Sequence, residues 1–169
     1  MQNILKNYPG IPCTIIGIGE GGIFKKPTIV STVLGSCIAV TFFCPKEKIG
    51  ATFHAIYSSL HNLVWPPEKI NPYTYVDSAI EYVLDSFYRR GIHSKQLSVK
   101  VFGGADALTS RPPNPGELNV KTALKTLKQY SLRPLATDVG GNRGRKVLFV
   151  SHTGEVYVKL QEGVTEAFK

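Results

Sequence analysis

Apolar positions in the first third of the chain come in short blocks rather than at helical spacing. Ile11 to Ile18 and Ile29 to Leu34 are rich in β-branched residues and bounded by Gly or Pro, the pattern of strands. Ile38 to Phe43 and Ile49 to Ile56 flank Pro45-Lys46-Glu47-Lys48, which predicts an antiparallel hairpin. Ser58 to Tyr73 carries Trp65-Pro66-Pro67 and Asn71-Pro72 and reads as a loop, since proline interrupts both helix and strand. The period changes after it. From Thr74 to Arg90, Val76, Ala79, Ile80, Val83, Leu84 and Phe87 recur at spacings of three and four, and Gly91 follows as a stop, which predicts a helix. A strand at Leu97 to Phe102 and the turn Gly103-Gly104-Ala105 lead to the link Arg111-Pro112-Pro113-Asn114-Pro115. Val120, Ala123, Leu124 and Leu127 mark a second helix, and Lys146 to Ser151 and Glu155 to Leu160 predict two closing strands around His152-Thr153-Gly154. Mostly strands with two interposed helices make an α+β fold the expectation.

Size changes this picture little: 169 residues, 43% of them apolar, suffice for one core and not two, so residues 1–169 read as a single domain. No apolar run approaches the roughly 18 to 20 residues that span a bilayer, and the start lacks the apolar stretch of a secretion signal. A cytoplasmic protein without membrane insertion is expected. Cys13, Cys37 and Cys44 are odd in number and lack metal-ligand spacing, so neither a disulfide framework nor a metal site is expected. Twenty basic against twelve acidic residues give a net charge of +8, which favours anionic partners. The charges are dispersed and no aromatic stacking module accompanies them, so no nucleic-acid partner is expected.

Candidate chemistry begins with two glycine-rich stretches. Gly17-Ile18-Gly19-Glu20-Gly21-Gly22 matches G-x-G-x-x-G, but Ile23-Phe24-Lys25-Lys26-Pro27 follows where a phosphate site needs a helix N-terminus; a turn or bulge is expected. Gly140-Gly141-Asn142-Arg143-Gly144-Arg145 is either an anion site or a β-turn with solvated arginines. His61, His93 and His152 fall in predicted loops or turns without a partner at catalytic spacing.

Thr32-Val33-Leu34-Gly35-Ser36-Cys37 is the sharper candidate. Free cysteine is commonly a small core residue, and Cys37 alone is open to that reading. Two features favour a nucleophile: Gly35 permits a sharp bend that presents amide N–H groups, and the hairpin brings His54 within reach as a base. Cys44, at the far end of the hairpin, has neither.

Several separated motifs together resemble the CheD family of chemoreceptor glutamine deamidases of bacterial chemotaxis. They are Leu34-Gly35-Ser36-Cys37-Ile38-Ala39-Val40, Gly50-Ala51-Thr52-Phe53-His54-Ala55, Lys100-Val101-Phe102-Gly103-Gly104-Ala105, Gly116-Glu117-Leu118-Asn119-Val120 and Asp138-Val139-Gly140-Gly141-Asn142-Arg143-Gly144-Arg145-Lys146. The resemblance implies a three-layer α/β/β sandwich and a cofactor-free cysteine hydrolase converting receptor glutamines to glutamates, with glutamyl methyl esters as further substrates. It implies Cys37 as nucleophile, His54 as general base and Ser31 as third catalytic residue, six positions before the cysteine, where the family usually has threonine; Thr32 next door takes that place only if the strand register differs, since neighbouring side chains point to opposite faces. Gly35 and Ser36 would bind substrate through their amides. Implied partners are methyl-accepting chemotaxis receptors and a CheC-type phosphatase, and an adaptor on the same fold is the alternative function. The chain departs from the family in Ile56-Tyr57-Ser58-Ser59 after His54, where a Leu-Pro-type segment is usual, and at Leu118, where a basic residue is usual.

Overall fold

The computed structural model describes residues 2–60, 69–106 and 114–161. In chain order its elements are α1 (Gln2–Leu5), β1 (Cys13–Ile15), β2 (Gly21–Phe24), β3 (Ile29–Leu34), β4 (Ile38–Cys44), β5 (Ile49–Phe53), α2 (Val76–Tyr88), β6 (Ser98–Gly103), α3 (Pro115–Gln129), β7 (Ala136–Val139), β8 (Arg145–Val150) and β9 (Val156–Leu160). Trp65-Pro66-Pro67, His61 and Arg111-Pro112-Pro113 lie outside the described residues.

The strands form two sheets, ordered β1-β3-β8-β9 and β2-β5-β4-β6-β7. Side-chain alternation along β4 explains how they stack. Ile38, Val40, Phe42 and Cys44 face one way and join Val76, Ile80, Val83 and Phe87 of α2 and Leu127 of α3 in the largest apolar cluster. Cys37 and Ala39 face the other way and pack with Leu34 of β3 and Val147 of β8. The five-stranded sheet is therefore buried on both faces, by helices on one and by the four-stranded sheet on the other. The outer face of the four-stranded sheet carries Ile29, Leu148 and Val150, covered by Ile4, Tyr8 and Ile11 of the N-terminal segment. This is the expected α+β fold, in α/β/β layers.

The predicted hairpin forms as β4 and β5, with Thr41 opposite Thr52 and Cys44 opposite Ile49. The same register continues past the end of β5 as a bridge between Ile38 and Ala55. α2 occupies the predicted periodic segment, and Gly91 beyond its end takes a left-handed φ of 73°. α3 starts five residues before Val120: Pro115 fills its first position and the Asn114 side chain accepts the Glu117 N–H, so the end of the Pro-rich link is a cap.

Three elements depart from the expected order. α1 and a 3₁₀ turn at Ser94–Gln96 are short and carry no strong pattern. β7 is an edge strand with two exposed residues, pairing parallel to β6 after the α3 crossover. Its Ala136-Thr137-Asp138-Val139 has too little apolar alternation to announce a strand, and the ladder with β6 supplies what the side chains do not.

Candidate active site

Strand register places Cys37 and His54 on one face of the sheet. Because Ile38 and Ala55 exchange both backbone hydrogen bonds, at 2.9 and 2.8 Å, Cys37 stands opposite Ile56 and His54 opposite Ala39. Cys37 and His54 are thus diagonal neighbours on the face that meets the other sheet. Both are buried, at 7% and 4% exposure. Cys44 is also buried but points to the helical layer, and Cys13 is exposed on β1.

His54 is held on both edges. Its N–H donates to the Glu20 carbonyl and its carbonyl accepts from Gly19 N–H, each at 2.8 Å, while the next residue pairs with Ile38. Gly19 lies in the glycine-rich segment, which forms a turn into β2 as expected. What the sequence did not reveal is that this turn clamps the histidine backbone.

The ring is oriented by Thr32. Thr32 Oγ1 lies 2.8 Å from His54 Nδ1 and donates its hydrogen to the Ile16 carbonyl at 2.9 Å. A hydroxyl has one hydrogen, so Oγ1 accepts from Nδ1–H, and Nε2 carries the lone pair. Nε2 is buried and has no hydrogen-bond partner among the described residues. A buried imidazole with an unpaired basic nitrogen on the thiol's face is a candidate general base, and no hydrogen bond joins it to the Cys37 thiol among the described residues.

Ser31 does not occupy the position expected of it. Side chains alternate along β3: Val30 and Leu34 face the opposite sheet, whereas Ile29 belongs to the outer cluster and Val33 is 54% exposed. Ser31 shares the outer face with Ile29 and Val33, and the hydroxyl brought to His54 is that of Thr32, five positions before the cysteine. Ser31, six positions before the cysteine, lies on the face of β3 away from His54.

Burial sets the protonation states. Desolvation pushes the Cys37 thiol above its usual value, opposed by its own backbone amide. Desolvation also pushes His54 below the usual histidine value, with the Ile16 carbonyl and the Glu20 carboxylate pulling it back. Both shifts favour a neutral thiol and a neutral imidazole at rest.

The bend before Cys37 is made differently from expectation. Gly35 is absent from the left-handed glycines, and a side chain there would meet open space. The left-handed glycine nearest the bend ends β6: Gly103 has φ 113°, and a Cβ on it would lie 2.1 Å from the Cys37 carbonyl oxygen. Gly35 and Ser36 are half-buried beside the cysteine. Asn119, 1% exposed on α3, donates both amide hydrogens, to Ser36 O at 2.9 Å and to Ile56 O at 3.0 Å. Sequence reasoning placed Asn119 in a motif without a task. A polar residue on the buried stripe of an amphipathic helix was the available signal.

The second glycine-rich stretch is structural. Gly140 and Gly141 are left-handed, as a β-turn needs, but Arg145 is 2% exposed rather than solvated. Its guanidinium donates to the carbonyls of Gly103, Asp138 and Gly140 and lies 3.4 Å from the Asp138 carboxylate, so it ties the end of β6 to β7. His93 caps the 3₁₀ turn and His152 lies in the β8–β9 turn, both remote in register from Cys37. Among the described residues no group of three or more His, Cys, Asp or Glu is arranged to hold a metal, and no helix is long and apolar enough to cross a membrane.

Comparison with known proteins adds a family. The model of the family described as CheD chemotactic sensory transduction matches residues 64–160. A probable chemoreceptor glutamine deamidase CheD of Maridesulfovibrio salexigens is 38% identical over 164 residues, covering 93% of this chain and 96% of the relative. A probable chemoreceptor glutamine deamidase CheD 2 of Geobacter sulfurreducens is 42% identical, covering 90% and 92%. The chemoreceptor glutamine deamidase CheD of Thermotoga maritima is 34% identical, covering 88% and 92%.

Proposed function

The chain belongs to the CheD family, and from that premise we propose that it is a chemoreceptor glutamine deamidase in which Cys37 is the nucleophile, His54 the general base and Thr32 the residue that orients the base. The observation that carries this reading is the Thr32 to His54 Nδ1 hydrogen bond, which leaves a buried Nε2 lone pair on the face shared with Cys37.

In the proposed reaction His54 Nε2 takes the proton from the Cys37 thiol, and the thiolate attacks the side-chain amide carbonyl of a receptor glutamine. The oxyanion is received by the N–H groups of Ser36 and Cys37. The imidazolium then returns its proton to the departing nitrogen; the C–N bond breaks, ammonia leaves, and a thioester remains. Water, deprotonated by Nε2, attacks the thioester; the C–S bond breaks, the product is glutamate, and the thiolate regains its proton. A glutamyl methyl ester would follow the same route, with methanol leaving in place of ammonia. No step uses a metal or cofactor.

A cytoplasmic setting belongs to the same proposal, supported by three cysteines whose odd number suggests no disulfide framework. A CheC-type phosphatase is the further partner proposed from the family resemblance, and co-purification of the two proteins tests it. Ammonia release from a purified receptor fragment tests the central reading. Cys37→Ala and His54→Ala should each abolish it, whereas Cys37→Ala retaining a rate near that of the unsubstituted protein would refute the nucleophile assignment and favour an adaptor.

A further inference from the structure

Three successive carbonyls of the nucleophile bend are each held by a donor from outside it. Gly35 O accepts from Ala105 N–H at 2.8 Å, Ser36 O from the Asn119 side chain at 2.9 Å, and Cys37 O from Gly104 N–H at 2.8 Å. A trans peptide unit is planar, with its C=O and N–H pointing in opposite directions. Holding the Gly35 carbonyl therefore aims the Ser36 N–H, and holding the Ser36 carbonyl aims the Cys37 N–H, both away from the anchoring groups. Neither N–H donates to another residue among the described residues. The Cys37 amide also lies close enough to its own thiol to oppose the effect of burial on it.

Two of the three anchors are backbone groups, whereas the anchor on the Ser36 carbonyl is a side chain. Asn119 projects from α3, is almost wholly buried, and uses its second hydrogen on Ile56 O, two residues beyond His54. One rigid amide thus joins the peptide that precedes the nucleophile to the strand end that carries the base.

We propose that Asn119 is a positioning residue for the reaction: by holding the Ser36 carbonyl it turns the Cys37 N–H of the same peptide unit toward the place where the oxyanion forms. This rests on the assignment of Cys37 as nucleophile. Asn119 touches no reacting atom itself.

The test compares two reactions of Cys37 in the full chain carrying Cys13→Ser, which removes the exposed thiol. Acylation by p-nitrophenyl acetate passes through a tetrahedral oxyanion, whereas alkylation by iodoacetamide displaces iodide and forms none. Asn119→Leu keeps the approximate volume and removes both donors. Its acylation rate should fall about 100-fold, the lower end for loss of an oxyanion donor, while alkylation stays within about threefold and its pH profile does not move. Asn119→Ser, which retains one donor, should lie between Leu and Asn, and it carries the test alone if Asn119→Leu does not fold by circular dichroism. Acylation unchanged in the folded variant, or acylation and alkylation falling together, overturns the proposal. Acylation lost in Cys37→Ala but unchanged in Asn119→Leu overturns the role of Asn119 alone. Acylation persisting in Cys37→Ala overturns the nucleophile assignment and, with it, the Asn119 role.

Discussion

At Thr32 the single hydroxyl hydrogen is committed to the Ile16 carbonyl, and that commitment sets the tautomer of His54. Thr32→Val keeps the shape and removes the acceptor for Nδ1–H, so deamidation should fall about 10- to 100-fold, a fraction of the roughly 10²–10⁴ that a positioned base supplies. Thr32→Ser should retain most of the rate and Ser31→Ala all of it within about twofold; a large loss in Ser31→Ala with none in Thr32→Val would reverse the assignment. Protonation follows from burial in the same way. With the thiol pushed up and the imidazole pushed down, thiolate accumulates only on the alkaline side of the ordinary cysteine range. Iodoacetamide alkylation should therefore climb with pH and show no plateau between pH 5 and 7; such a plateau would reveal a resting thiolate–imidazolium pair. For deamidation, neutral His54 is the active form, and its lowered pKa places the acid limb of kcat/KM below the usual histidine value near 6.5.

Between elements, the position of Cys37 depends on β6 as much as on its own strand. Gly103 brings the backbone of β6 against the Cys37 carbonyl with a φ of 113°, and Gly104 N–H bonds that carbonyl. Gly103→Ala demands a conformation that L side chains rarely adopt and drives a methyl group into backbone that has no room to retreat. Urea titration should show a loss of about 2 kcal/mol or more, and Cys37 acylation should fall even where the variant is folded. Unchanged acylation in folded Gly103→Ala would mean that the β4–β6 junction does not set the nucleophile's place. Arg145 supports this junction from the other side by bonding the Gly103 carbonyl. The hairpin register, by contrast, was readable from the two apolar runs around Pro45-Lys46-Glu47-Lys48, because a tight connection fixes which residues face each other.

Across the whole molecule, the five-stranded sheet is a partition: helical core on one face, Cys37 and His54 of the candidate site on the other. Phe87 is completely buried in the helical core with Phe42 and Phe53, remote from Cys37 by face rather than by sequence. Phe87→Ala should cost about 3–5 kcal/mol by chemical denaturation while leaving alkylation of Cys37 in the folded protein within about twofold; a selective loss of Cys37 reactivity would mean that the two faces are coupled. The amino-acid order alone determined the α+β class, both long helices, the hairpin and the Cys37 and His54 pair, because each follows from local periodicity or a short connection. Tertiary structure decided the rest. It placed the hydroxyl of Thr32, not that of Ser31, at His54, since a strand residue's face depends on which sheet lies opposite; made β7 a strand through its ladder with β6; and buried Arg145. It also gave Asn119 its two carbonyls from segments more than sixty residues away, and only packing α3 against the sheet brings those within reach of one amide.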